Sequence, residues 1–134
     1  QHYRIKAQQY RQWIKNMIDY LLIEDETYVL EWFHLRPELI ASDLIRWWDK
    51  VKYMALYKSN IDEIEQGIKT HKHPNDRATQ KTYKEETYPK IASFIYEFGQ
   101  MIKKDAMKYW LQTFDMSQWK FADNIQTVAT TMIH

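Results

Sequence analysis

PELIASDLIRWWDKVKYMALYKS, residues 37–59, decides how this chain is read, because its apolar residues recur at helical steps behind an initial proline. Proline at the first helical position loses no hydrogen bond, and its fixed φ suits a helix. The spacing therefore predicts a helix that starts at Pro37 and places Ile40, Leu44, Trp47, Trp48, Val51 and Met54 or Ala55 on its core face. Read as one helix, this stretch makes the protein a bundle.

The segments on either side follow the same period. SNIDEIEQGIK, residues 59–69, has Ser59 or Asn60 as N-cap, Asp62 and Glu63 to complement the helix dipole, and Ile61, Ile64 and Ile68 on one face. THKHPNDR, residues 70–77, concentrates turn formers and reads as an exposed loop. Pro89 opens PKIASFIYEFGQMIKKDAMKYWLQTF, with Ile91, Phe94 or Ile95, Phe98, Met101 or Ile102 and Ala106 inward; Gly99 is tolerated there if another backbone passes close. The last helix, SQWKFADNIQTVATTMI, is capped by Asp115 or Ser117 and carries Phe121, Ile125, Val128 and Met132. At the other end, Tyr3, Ala7, Tyr10, Ile14, Met17 and Leu21 line one face of an N-terminal helix. The expected fold is all-α: an antiparallel four-helix bundle over residues 25–134, preceded by a basic helical arm over residues 1–24.

Composition agrees with that class. Gly 2 and Pro 3 in 134 residues leave little for tight turns or phosphate-cradling loops, which favours long helices over sheets. Cys 0 excludes disulfides, thiolate metal sites and a cysteine nucleophile. No uncharged apolar run approaches the roughly 18 residues of a membrane-spanning helix. Aromatics at 16%, with Trp 6 and Tyr 10, exceed what a core this small needs, so some rings must lie near the surface, where they serve interfaces. In the adjacent pairs Trp32-Phe33, Trp47-Trp48 and Tyr109-Trp110 the two rings point about 100° apart on a helix, which leaves one ring of each pair for a neighbour.

Signs of chemistry are sparse. His71, His73 and Asp76 lie on a loop without the helical spacing of a metal motif, and read as solvated residues rather than ligands. Glu85 with Glu86, and Asp62 with Glu63 and Glu65, sit among Lys and Thr on an outer face rather than in a pocket. No Gly-rich phosphate loop, nucleophile elbow or H-E-x-x-H stands in the sequence, so the expectation is a protein that is not an enzyme and needs neither metal nor cofactor.

Charge is distributed unevenly. The first 18 residues hold four basic residues, Arg4, Lys6, Arg11 and Lys15, and no acidic one, which gives them +4 and leaves −3 to the rest. Arg4, Gln8, Arg11 and Lys15 form a stripe about a quarter to a third of a turn from the apolar edge. One account is a solubilising face, or an end that pairs with acidic neighbours on another subunit. The other is binding to a nucleic-acid backbone, with Lys and Arg on phosphates and Gln8 and Gln12 adding hydrogen bonds without charge. Four phosphate contacts give a salt slope of roughly −3.6 on duplex DNA, weak for one copy and sufficient for many copies polymerised along a duplex.

The basic stretch HYRIKAQQYRQWIK before an aromatic-rich helical body, and a closing part in which MKYWLQTF leads into FADNIQTVATTMI, resemble the major coat proteins of filamentous and rod-shaped archaeal viruses, the lipothrixvirus and rudivirus group. The resemblance implies a structural virion protein that packages linear double-stranded DNA, held in A form, in a helical nucleocapsid. It also implies pairing with a paralogous coat protein or with itself, a place in the virion with assembly in the host cytoplasm, and in enveloped members an outer lipid envelope. Carried onto this chain, it implies backbone contacts from Arg4, Lys6, Arg11 and Lys15, with Arg46 and Lys50 as a second group. Two other classes fit the same features: a small all-helical subunit of a ribonucleoprotein complex of the type III CRISPR kind, and a protein-only helical adaptor.

Overall fold

A helix starts at Pro37 as the spacing predicts, yet it ends at Leu44, and Met54–Tyr57 is a β-strand. The computed structural model describes residues 2–24, 26–31, 35–44, 47, 49–70, 84–117 and 120–133, with the backbone alone at His2–Arg4, Lys6, Ala7, Phe121 and Ile133. Among these residues the elements in order are α1 (His2–Leu21), α2 (Pro37–Leu44), β1 (Met54–Tyr57), α3 (Ile61–Thr70), α4 (Tyr88–Lys108, entered through a 3-10 turn at Glu85–Thr87), β2 (Gln112–Asp115) and α5 (Phe121–Ile133). The protein is mainly helical, with one short parallel strand pair.

The strand pair corrects two expected helices at once. β1 and β2 run parallel with Met54 opposite Gln112 and Tyr57 opposite Asp115, so residues 54–57 and 112–114 leave the helices assigned to them. After α2 the chain turns at Trp47, whose carbonyl accepts from the N–H groups of Lys50 (2.7 Å) and Val51 (3.1 Å). A parallel pair needs a long crossover, here α3 and α4. The partner that stabilises each strand is thus remote in sequence, and a run of MALY or QTFD is too short to show a period of two.

Helix α4 is the element on which α3, β1, β2 and α2 all pack. Its buried residues are Tyr88, Ala92, Gly99 and, as expected, Ala106, whereas Phe94 and Ile95, one or other of which is expected inward, are both exposed, and Ile91, Phe98, Met101 and Ile102 are half-buried. The core face is rotated toward the small residues because β1 crosses there. A Cβ on Gly99 would lie 3.4 Å from Cβ of Tyr57 and 3.8 Å from the backbone nitrogen of Lys58, so a second backbone does pass close.

Two hydrophobic cores result. Ile64 and Ile68 of α3 meet Tyr88 and Ala92 of α4, with Ile91 and Tyr96 against them. Ile14 and Ile18 of α1 enclose Trp47 with Leu22, Leu35, Leu44 and Val51. The seam expected on α1 is displaced accordingly: Ile18 is buried, Met17 and Leu21 are half-buried, and Tyr10 is exposed.

Polar side chains fix the joints. Asn60 caps α3, its Oδ1 accepting from the N–H groups of Asp62 (3.0 Å) and Glu63 (3.3 Å) while its Nδ2 donates to Glu63. Asp115 and Ser117 do not cap α5. They receive the N–H of Ser59, Ser117 Oγ also receives that of Asn60, and Asp115 accepts from Ser117 N–H at 2.9 Å. Burial by itself would raise the Asp115 carboxyl, but hydrogen bonds from Ser59 and Ser117 outweigh it and hold its pKa below the ordinary value. Buried Asn124 anchors the start of α5 by donating to the Met116 carbonyl at 2.7 Å, and Ile125, expected inward, is exposed. Arg36, 1% exposed, pairs with Glu38 (2.5 Å) and with Asp105 of α4 (2.7 Å), which ties the start of α2 to α4.

Candidate nucleic-acid interface

Helix α1 falls into two halves. In its first half no described side chain is buried: Ile5, Gln8, Gln9 and Tyr10 are all exposed. Ile14 and Ile18 hold the second half to the core around Trp47. The acid-free first turn of the helix leaves the positive end of the dipole uncompensated by its own residues.

The stripe residues are placed as follows. Gln8 is exposed, and Gln12 is exposed with its Nε2 donating to Asn16 at 2.8 Å. Arg11 reaches across to α2, where Nη2 donates to Ser42 Oγ (2.9 Å) and both Nε and Nη2 meet Asp43 Oδ2 at 3.3 Å. Lys15 pairs with Asp19 at 2.8 Å, and the other oxygen of that carboxylate accepts from Trp47 Nε1 at 2.9 Å. Lys50 is exposed and borders a shallow concavity with Asp19, Leu22, Ile23, Trp47 and Asp49. For Arg4 and Lys6 the helical backbone alone is described, and Arg46, like His71, His73, Asp76, Trp32, Phe33 and Trp48, lies outside the described residues.

Counter-charges for two of the four cations thus come from within the chain. Asp19 lies one residue past the acid-free stretch, at the i,i+4 spacing from Lys15 that a helix brings together. Asp43 comes from α2 and carries no local signal. Arg11 and Lys15 meet a phosphate only by exchanging a carboxylate for it, whereas no carboxylate precedes Asp19 to serve Arg4 and Lys6 locally.

The acidic clusters noted in the sequence sit elsewhere. Glu65 and Glu85 flank Lys69 at 2.9 and 3.1 Å, and those hydrogen bonds raise the Lys69 pKa. Among the described residues no group of His, Asp and Glu is arranged to hold a metal, and no helix is long and apolar enough to cross a membrane. Sequence reasoning missed Arg36 as a buried hub; an Arg-Pro-Glu run at a helix start was its one visible trace. Set against known proteins, the chain matches no family model, no curated protein and no solved structure.

Proposed function

We propose that the protein is a structural virion subunit that coats linear double-stranded DNA through sequence-independent contacts of α1, and that copies of it, or it and a paralogous coat protein, polymerise into a helical nucleocapsid. The observation that carries this reading is the acid-free start of α1, where Ile5, Gln8, Gln9 and Tyr10 are exposed on the helix that also bears Arg4, Lys6 and Gln12. Such an arm neutralises phosphates without reading bases, and a shallow A-form minor groove suits shape and backbone recognition. In this reading α2, α3, α4 and α5 are the four helices of a bundle-like body, with the strand pair as its clasp, and Lys50 and Arg46 form the second basic group.

Mixing nuclease-treated protein with random-sequence linear duplex tests it. A coat subunit gives filaments in electron micrographs, protects the duplex from nuclease, and binds without sequence preference in a manner that weakens with salt. Copurification with RNA and no filament supports a ribonucleoprotein subunit instead. The ion pairs Arg11–Asp43 and Lys15–Asp19 favour a protein-only adaptor as the second reading. An adaptor predicts that Arg4→Glu with Lys6→Glu changes nothing, whereas a coat subunit loses DNA binding.

A further inference from the structure

Helix α4 ends in an arrangement that a glycine ordinarily completes. The N–H of Leu111 donates to the carbonyl of Ala106 (3.0 Å) and that of Trp110 to the carbonyl of Met107 (3.2 Å), the paired hydrogen bonds of a Schellman cap. The residue in the left-handed position is Trp110, with φ 59°, the one non-glycine residue of positive φ among those described. An L-residue there is disfavoured by roughly 1–2 kcal/mol, and glycine escapes that penalty. The two hydrogen bonds satisfy the backbone, but the Trp110 ring is 95% exposed and is buried by none of the described residues. A strained backbone that presents the largest apolar side chain to solvent points to a contact outside the chain.

The surroundings define what that contact accepts. Met107, one helical turn back, is exposed, and so are Lys104 and Lys108; Lys108 Nζ lies 5.4 Å from the Tyr109 ring. Lys103 is half-buried over the Tyr57 ring at 4.5 Å, whereas the exposed Lys104 and Lys108 flank the apolar pair. This is an apolar knob in a basic collar. Its complement stands on the same chain in the connection between α1 and α2. There Ile23 (81% exposed) and Val29 (87% exposed) are joined by exposed Tyr28, Leu30, Glu24, Glu26 and Glu31. That connection is apolar and acidic where the end of α4 is apolar and basic. The two do not meet within one chain, since Trp110 is almost wholly exposed.

We infer that Trp110 and Met107 of one copy dock on Ile23, Tyr28 and Val29 of a second copy, with Lys104 and Lys108 facing its Glu24, Glu26 and Glu31. Two different patches meet in this contact, so in a pair one copy keeps its connection unused and the other its knob, and the association continues from copy to copy. Buried tryptophans are among the residues most often found to dominate an interface. This contact goes beyond the DNA-coat reading and needs no nucleic acid.

Sedimentation velocity on nuclease-treated full-length protein, from micromolar to millimolar concentration, tests it. Wild type forms species larger than a monomer as concentration rises. Trp110→Gly keeps the left-handed turn and removes the knob, so it associates at least about 30-fold more weakly while its thermal midpoint equals or exceeds that of wild type. Lys104→Glu with Lys108→Glu, and separately Glu24→Lys with Glu26→Lys and Glu31→Lys, are each monomeric, and a mixture of the two associates again. Unchanged association of Trp110→Gly overturns the inference, as does a monomeric wild type or a mixture that stays monomeric. A Trp110→Gly variant that associates normally but binds single-stranded DNA more weakly makes the knob a base-stacking platform and also overturns it. None of these failures touches DNA binding by α1, which is measured separately with Arg4→Glu and Lys6→Glu.

Discussion

Arg36 shows how much of this fold depends on single buried charges. Its guanidinium is almost wholly removed from water and meets carboxylates on two elements, Glu38 of α2 and Asp105 of α4. Removing one partner of such a pair leaves a buried charge less compensated, a loss that typically reaches 3–5 kcal/mol. Asp105 keeps some contact with solvent, so Asp105→Ala is expected to lower unfolding free energy by about 3 kcal/mol, the low end of that range, in urea titrations. Asp115 acts through pH. Its pKa is lower in the folded protein than in the unfolded chain, so its contribution is complete above the unfolded value near about 4 and is lost as pH falls through the folded value. The denaturation midpoint of wild type should therefore drop from about pH 4 downward, and Asp115→Asn should flatten that limb while starting lower at neutral pH. Identical acid limbs in the two proteins would refute a role for this carboxylate.

Elements obey packing more than local pattern, and the two glycines measure the difference. Gly67 of α3 has nothing within 4 Å of where a Cβ would stand, so Gly67→Ala should raise stability by about 1 kcal/mol through helix propensity alone. Gly99 faces Tyr57 and the backbone at Lys58, so a larger side chain must push β1 away; Gly99→Leu should cost about 1–3 kcal/mol by overpacking, read in the same urea titrations. The period of 3.6 made α1, α3 and most of α4 legible, together with Pro37, Asn60 and the close approach at Gly99. It failed where a remote partner decides: β1 exists because β2 lies beside it, and the inward face of α4 follows Ala92, where α3 packs, and Gly99, where β1 crosses, rather than Phe94, to which hydrophobicity alone assigns it. The basic stripe was legible as charge but not as pairing, since Asp43 reaches Arg11 only through the contact of α2 with α1.

At the scale of the whole molecule, the two cores among the described residues are linked through α2 and the Arg36–Asp105 pair, and the α1 residues described in a core, Ile14 and Ile18, lie in its second half. Stability and the DNA binding proposed for α1 are therefore separable along a single helix. Deleting residues 1–9 removes Arg4 and Lys6 and no described buried side chain, so the urea midpoint should stay within experimental error of wild type. Binding should weaken. If Arg11 and Lys15 remain on their carboxylates, α1 contributes through Arg4 and Lys6 roughly −1.8 to the salt slope on duplex DNA, against −3.6 if phosphate displaces both carboxylates, with Arg46 and Lys50 adding to either. The shallower slope is expected, because Asp43 is held against Arg11 by the packing of α2, and the Asp19 carboxylate that pairs Lys15 is also fixed by Trp47. Fluorescence anisotropy of a labelled duplex, titrated at several salt concentrations, reads both quantities. Arg11→Gln should leave the slope unchanged, and the deletion should weaken binding and flatten the slope by roughly 1.8; a deletion variant that binds with the slope of wild type would move the DNA contact off α1 altogether.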